Sequence, residues 1–379
     1  EPRLSMERYA TRVERSKGFQ LDISINGKAF AKSAIANVEA IMGLIGPHVE
    51  RWRSLRIDHV PFRHIRMLCD HLGGRSLSLL ESLRVVESSG GFRDLKRPEC
   101  ESLGWLGFDA PKLKELELTG VVAAFDSPLF HNLDALYLTD DTYSRFRPPA
   151  ANELIRQLLQ QSPHLKRLYV KCTLPDPILS IRRRFPLPLD ENTVSYPSLV
   201  DLALDFRGTT YDAFLPSASF PALRSFRTGG KPGITLDGWH FPLLARNSPF
   251  PALKKISLTG DPYDPEYDHQ LADALSGLAS LEHLELRSFS KTQLADALQI
   301  LGYSCPQLKG LALSRCTRVD LDKVRSLVDT RLRVDGVTAL RKLRVYRGIY
   351  LDFQELVDTR AWFKERVEDV TLFTHDGWV

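Results

Sequence analysis

Short runs of alternating apolar and polar residues recur along this chain, each led by a leucine. The phrase Pro-x-Leu-x-x-Leu-x-Leu, or a close variant, occurs in "APKLKELELTG" from Ala110, "SPHLKRLYVKC" from Ser162 and "YPSLVDLALDF" from Tyr196. It returns in "FPALKKISLTG" from Phe250 and "CPQLKGLALSRC" from Cys305. "NLDALYL", "SLEHLEL", "ALRKLRV" and "RVEDVTL" keep the pattern without the proline, as do "RWRSLRI" and "LESLRVV" nearer the N-terminus. "ALRSFRT" from Ala222 reads as a degraded copy, and "LDISI" from Leu21 as the first strand. The last two apolar positions of each phrase are separated by one residue. Each phrase therefore predicts a short strand with one apolar and one polar side.

The first apolar positions are Trp52, Leu80, Leu113, Leu133, Leu165, Leu199, Leu223, Leu253, Leu281, Leu308, Leu340 and Val367, spaced 20 to 34 residues apart. Between them the period becomes helical. Leu154, Ile155, Leu158 and Leu159 share a face, as do Leu271, Leu275 and Leu278, and then Leu294, Leu298 and Leu301. "DLDKVRSLVDTRL" and "DFQELVDTRAWFKERV" continue the alternation. Ser-Pro, Cys-Pro or a similar break follows a helix, and the proline is expected to end it and set the chain extended. One strand cannot bury its leucines alone; stacked copies form a parallel sheet whose apolar face the return segments cover. The expected fold class is α/β: a parallel sheet with outer helices in about 12–13 irregular repeats over 21–379, after a lead-in over 1–20.

Composition adds exclusions. No run of 18 or more apolar residues exists in the 379, so no membrane span is expected. The first twenty residues are polar and lack the apolar stretch of a signal peptide. The chain opens on Glu1 rather than Met, which suggests a longer gene product or processing. Net charge is only +4, with 51 Lys and Arg against 47 Asp and Glu, too small an excess to argue for nucleic acid. Five cysteines (Cys69, Cys100, Cys172, Cys305 and Cys316) are odd in number and spread out. They read as buried thiols in a reducing compartment, cytosol or nucleus, rather than a disulfide framework.

"CPQLKGLALSRCTRVDL", 305–321, resembles the cysteine-containing subtype of leucine-rich repeat. Cys305 precedes the strand, and Cys316 takes the last place of Leu-x-x-Leu-x-Leu-x-x-Cys, where a small buried polar side chain bonds the backbone of the turn. Other repeats place Val121, Asp141, Thr173, Arg207 and Asp261 where that family has Asn or Cys. The resemblance implies a curved, horseshoe-like solenoid with a concave parallel sheet. This subtype is typical of F-box proteins, the substrate receptors of SCF ubiquitin ligases. The N-terminal part is similar to the region after the F-box in F-box-like proteins of mushroom-forming fungi, through Arg15, Ser16, Leu21, Asp22, Ile23, Arg51, Trp52 and Leu55. The F-box itself, a short helical motif opening on Leu-Pro, is not found. The resemblance therefore puts the Skp-family adaptor and cullin contacts in a segment upstream of Glu1.

Candidate chemistry is sparse. His59, His64 and His71 lie near Cys69, but "DHVPFRHIRMLCDHL" reads better as a helix with Ile65, Leu68 and Leu72 inward than as a metal site. Arg182, Arg183 and Arg184 sit in a Pro-rich insertion and read as a solvated loop or a phosphate-binding run. "GGKPG" at Gly229 lacks the context of a phosphate loop, and no hydrolase, zincin or kinase signature occurs. The expectation is a non-enzyme without cofactor.

A repeat array binds partners on its extended sheet face. The residues alternating with the leucines are Glu115, Glu117, Tyr137, Arg167, Tyr169, Lys171, Asp201, Asp205, Lys255, His283, Glu285, Arg287, Lys342, Arg344 and Tyr346. Tyr137, Arg167 and Tyr169 combine the side chains that dominate binding hot spots. The insertions after Lys171, Arg207 and Gly260 are alternative contact loops, and Trp378 either caps the last repeat or docks a peptide. The function these residues and the resemblance imply is capture of a protein target for an SCF ligase. A scaffold, sensor or inhibitor without a ligase role is the alternative, and a nucleic-acid-binding solenoid a weaker third.

Overall fold

The computed structural model describes residues 2–27, 34–87, 108–121, 127–140, 151–173, 194–207, 218–229, 250–260 and 268–374. They fall into two compact units, Glu1–Thr173 and Leu174–Val379. Both are parallel α/β structures in which each sheet strand lies beside the next one along the chain.

The first unit runs α1 (Pro2–Arg15), β1 (Leu21–Asn26), α2 (Ala34–Ile45), β2 (Trp52–Val60), α3 (Phe62–Leu72), β3 (Ser82–Glu87), β4 (Glu115–Thr119), β5 (Ala135–Asp140), α4 (Ala151–Gln161) and β6 (Arg167–Thr173). All six strands pair in parallel and in order. Their register aligns like with like. Leu83 faces Leu116, Leu116 faces Leu136 and Leu136 faces Leu168, while Val85, Leu118, Leu138 and Val170 make a second row. All eight are buried.

In the second unit a two-stranded piece, β7 (Val194–Ser195) and β9 (Ala218–Ser219), lies apart from the main sheet. The main sheet holds β8 (Asp201–Arg207), β10 (Ser225–Gly229), β11 (Lys255–Thr259), β12 (His283–Arg287), β13 (Gly310–Ser314), β14 (Lys342–Ile349) and β15 (Asp369–Thr374). Its helices are α5 (Asp268–Ser276), α6 (Lys291–Leu301), α7 (Leu321–Arg333) and α8 (Phe353–Lys364). Leu202, Phe226, Ile256, Leu284, Leu311, Leu343 and Val370 form one continuous row across the seven strands. The copy at Ala222 is thus a full member of the sheet. Phe226 supplies the buried volume of the missing leucine, and buried Thr228 accepts through its hydroxyl from the N–H of Thr259 at 3.3 Å.

All twelve first apolar positions are buried, and so are Ile155, Leu158 and Leu159, Leu271, Leu275 and Leu278, and Leu294, Leu298 and Leu301. The side chain of Leu154 lies outside the described set. Burying side chains of this size is worth about 1.5–3 kcal/mol each, so the aligned rows are the main source of cohesion.

The proline differs from the sequence expectation. It does not simply stop a helix; it sits second in a four-residue turn that the following leucine closes. Leu165 N–H donates to Ser162 O at 3.0 Å, Leu253 to Phe250 O at 3.1 Å and Leu308 to Cys305 O at 2.9 Å, with the same closure at Leu113, Leu199 and Leu223. Proline's fixed φ suits that second position. In three copies the residue before proline is aromatic, and Tyr196, Phe220 and Phe250 stack with centroids 5.5 and 5.8 Å apart.

A second device closes several strands. Gly120, Ser288 and Arg315, just past their strands, adopt positive φ, as do His59 and Arg347 near the ends of β2 and β14, where the register with the neighbouring strand shifts. Gly120, Ser288 and Arg315 donate their N–H to Thr139, Ser314 and Tyr346 carbonyls on the neighbouring strand, at 2.7–2.9 Å. At Gly120 a Cβ would also press on Glu87, which adds to the preference for glycine.

Arg331 of α7 ties the C-terminal end of α6 to the following turns. It is 1% exposed and donates to five carbonyls: Leu301, Ser304, Cys305, Leu308 and Thr338, at 2.6–3.2 Å. Burial lowers its pKa to about 10, so it stays charged at neutral pH. Leu301 is the last residue of α6, whose terminal carbonyl favours a cation. Arg331→Met keeps most of the volume and leaves those acceptors without a donor. The expected loss is at least about 3 kcal/mol in denaturant unfolding; a loss under about 1 kcal/mol would show that water replaces the guanidinium.

Candidate interaction face

The strand residues that alternate with the buried rows form the opposite face of each sheet. Every one of the fifteen sequence candidates lies there, and none is buried. In the first unit, Glu115 and Glu117 stand on β4, Tyr137 on β5, and Arg167, Tyr169 and Lys171 on β6. Register places Glu117 beside Tyr137 and Tyr137 beside Tyr169. The two rings lie 6.5 Å apart, tilted by 37°, and the Arg167 guanidinium sits 5.9 Å from the Tyr137 centroid. Arg167 also pairs with Glu115 at 2.5 Å. That pair joins β4 to β6 and passes over Ala135, the intervening residue of the row. Ala135 is fully buried although alternation puts it on the polar side.

A larger charge network on the same face went unread in the sequence. Asp58 of β2 accepts from Arg56 and, at 2.9 Å, from Arg84 of β3, whose other branch reaches Glu117 at 2.6 Å. Burial alone would raise the Asp58 pKa. The hydrogen bonds from Arg84 and Arg56 outweigh it and hold the carboxyl below its ordinary value. The signal was present in "SLRIDH": alternation continued past Ile57 puts Arg56 and Asp58 on the polar side.

Arg51 and the strand pair β1–β2 bring the N-terminal segment together. Arg51 donates to the Phe19 carbonyl at 2.9 and 3.0 Å and to the Ser16 hydroxyl. Leu21 pairs with Trp52 and Ile23 with Leu55, while Asp22 accepts from Ser54 at 2.8 Å and pairs with Arg53.

In the second unit Asp201 and Asp205 stand on β8, Lys255 on β11, His283, Glu285 and Arg287 on β12, and Lys342, Arg344 and Tyr346 on β14. Arg287 holds Glu285 through two hydrogen bonds of 2.7 and 2.9 Å, and Ser257 donates to the same carboxylate at 3.0 Å. Lys342 pairs with Asp369 at 3.1 Å, and Tyr346 stacks on Phe373 at 5.0 Å. His283 leans over Gly310, where a Cβ would come 2.5 Å from its Nδ1. Burial, reinforced by Lys255, lowers its pKa. In the residue before each strand, Glu282 lies between Lys254 at 2.8 Å and Lys309 at 3.2 Å, which hold its pKa down to about 2.

The cysteines act through the backbone. Cys305 Sγ donates to the Leu275 carbonyl at 3.1 Å, and Cys316 Sγ to the Leu286 carbonyl at 3.4 Å. Ser162, before Pro163, does the same work with oxygen, donating to Phe130 O at 2.6 Å and accepting from Leu133 N–H at 2.9 Å. Cys69, Cys305 and Cys316 are free and buried. Burial pushes the Cys305 and Cys316 thiols up to about 11 and raises Cys69 as well. On α3, Ile65, Leu68, Cys69 and Leu72 face inward, and buried His64 has no hydrogen-bond partner on either ring nitrogen. Burial lowers its pKa, which keeps it neutral. Among the described residues no three His, Cys, Asp or Glu side chains come together as a metal site. No helix among them is long and apolar enough to cross a membrane. Arg182, Arg183, Arg184, Cys100, Asp141, Asp261, Trp378, most of "GGKPG" and the insertion loops lie outside the described residues, as does the side chain of Cys172.

No family model matches the chain, and no curated protein does. Among solved structures it is similar to a Bacteroides fragilis protein at TM-score 0.33 and 13% identity, over 80% of this chain and 70% of that one. That likeness is too distant to bear on fold or function.

Two outcomes follow from this geometry. Arg84→Ala strips both Asp58 and Glu117 of a donor; because Arg84 is partly in water, the expected cost is about 1–2 kcal/mol. A carboxylate with a lowered folded pKa stabilises above its unfolded pKa, near 4, and loses that contribution as pH falls. The melting difference between variant and parent should therefore be full at pH 7 and shrink toward pH 3; an equal difference at both would assign the effect to packing. Alkylation mapped by mass spectrometry should leave Cys305 and Cys316 unmodified in the native state and label both after denaturation.

Proposed function

We propose that this chain is an irregular leucine-rich-repeat solenoid that works by binding protein, as the substrate-recognition part of an F-box-like receptor for an SCF ubiquitin ligase. The observation that supports protein binding is the Tyr137–Tyr169–Arg167 cluster. Two half-buried tyrosine rings and an arginine are held in place by sheet register and by the Glu115 ion pair. Pre-positioned Tyr and Arg side chains lose little entropy on capture and are the types that carry interface energy. The cysteine-type repeat, with Cys316 bonded to the preceding strand, and the contacts of Arg51 with Ser16 and Phe19 favour the F-box-like assignment. In this reading the protein supplies position, a partner enzyme transfers ubiquitin, and the adaptor binds a segment upstream of Glu1.

The test is purification of the tagged full-length gene product from its own cells, with co-purifying proteins identified by mass spectrometry. Recovery of a Skp-family adaptor and a cullin, lost when the segment before Glu1 is removed, is the expected result. Absence of both, where a known F-box protein recovers them, favours a scaffold or sensor. Tyr169→Ala combined with Arg167→Ala should lower target recovery by about tenfold or more. Arg167→Ala alone should barely change melting, because its pair with Glu115 is exposed and worth under about 1 kcal/mol; undiminished capture by the double variant would remove the cluster from the interface.

A further inference from the structure

The last helix of the second unit, α8, is covered on only part of its circumference. Leu356, Thr359 and Phe363 are buried. The side toward α7 is engaged as well. Arg325 of α7 donates to the Thr359 hydroxyl at 2.9 Å and sits 5.8 Å from the Trp362 ring centroid, and Arg366 pairs with Asp329 of α7 at 3.5 Å. At 3.6 residues per turn Val357 lies about 140° around the helix from Trp362. Phe353, Val357 and Ala361, at four-residue intervals, share that other flank and are exposed. Phe353 is 64% exposed, Val357 43%, and Tyr350, just before the helix, 65%. Single exposed apolar residues are ordinary, but a stripe of them along one helix flank marks an interface. The sheet is open at the same end, where β15 bonds to β14 and to no other described strand.

The charges of α8 indicate what covers the stripe. Asp352, Glu355 and Asp358 lie toward its N-terminal end, Arg360 and Lys364 toward its C-terminal end, and all five are exposed. Glu365 and Glu368, beyond the helix, already face Arg366 at 2.9 Å and Arg341 at 3.8 Å. A helix with acids at one end and bases at the other complements a second copy of itself laid antiparallel, and the two macrodipoles then oppose as well. The apolar stripe has the same property. Phe353 lies four residues before Val357 and Ala361 four residues after it. An antiparallel copy centred on Val357 therefore sets the large ring of one helix against the small side chain of the other. Lys364 then falls beside Tyr350 and Asp352 of the second copy.

We infer that α8 is a self-association helix: two copies of this chain pack antiparallel along Phe353, Val357 and Ala361, about a two-fold axis at Val357. One helix pair makes a small interface, so the dimer is a weak one, with a dissociation constant in about the micromolar range. The inference goes beyond target capture. A dimer carries two copies of the Tyr137–Tyr169–Arg167 cluster, which a target with two epitopes engages with avidity.

The test is sedimentation velocity of the full chain over a concentration series from about 1 to 100 μM, chosen to span the expected constant. The expected result is a monomer–dimer equilibrium. Phe353→Ser with Val357→Ser should weaken it about tenfold or more. Melting at the lowest concentration should stay the same, since both side chains are in solvent in the monomer. Under mild oxidation Val357→Cys should give a dimer whose 357–357 disulfide is mapped by mass spectrometry, whereas Asp358→Cys, one step further around the helix, should not. A monomer throughout the series, undiminished association of the double Ser variant, or equal cross-linking of the two Cys variants would overturn the inference. Species larger than a dimer would overturn it in favour of head-to-tail stacking. So would a gene product extended past Val379 that stays monomeric where this chain dimerises, which would make the stripe the seat of the added segment.

Discussion

A parallel strand cannot satisfy its own N–H and C=O groups, so each repeat here depends on main-chain bonds to the strands beside it. That ladder is the constraint from which the remaining features follow. Because side chains alternate faces along a strand, a slip of one residue would turn a whole row of leucines outward. The register must therefore be pinned at both ends of each strand. At the leading end, several copies use the turn closed by the leucine of Pro-x-Leu. At the trailing end, positive-φ residues such as Ser288 and Arg315 hand their N–H to the next strand. Just before the strands, opposite charges face each other across the ladder, with Glu282 between Lys254 and Lys309 and Asp134 beside Lys166.

Stacking leucines leaves a second problem at the turns, where main-chain carbonyls are buried without ladder partners. The chain meets it with small or cationic donors. The thiols of Cys305 and Cys316, the hydroxyl of Ser162 and the guanidinium of Arg331 each end on backbone oxygens. Arg331 is the extreme case, a buried charge whose described hydrogen bonds all end on carbonyls. An isolated buried charge costs far more than the few kcal/mol by which a domain is stable, so those five acceptors are what make its burial tolerable.

The same economy separates the two polar faces. In the first unit arginine and carboxylate are consumed in mutual pairs that fix side-chain positions, which orders Tyr137 and Tyr169 between them. In the second, Arg287 and Ser257 hold Glu285 and Lys342 holds Asp369, while Arg227 and Lys255 on β10 and β11 and Asp201 and Asp205 on β8 make no ion pair among the described residues.

Much of this was legible along the chain. Burial of the twelve leading positions and the three helical stripes follows from period and side-chain type, because apolar area left in water is costly whatever the neighbours. The backbone role of Cys316 was legible too, since a small polar group in a fixed place of a buried turn has few partners to choose from. The turn role of proline was not, because the residue's restricted φ suits both a helix stop and a turn, and the closing Leu N–H names the winner. Nor was the standing of Phe226 and Thr228, for a sheet row demands filled volume and a satisfied hydroxyl rather than leucine. Arg167 with Glu115, fifty-two residues apart, and Asp58 between two arginines belong to the third dimension. Local pattern assigns a side chain to a face of its strand; which charges meet there depends on how the strands stack and how far a side chain reaches over a small neighbour such as Ala135.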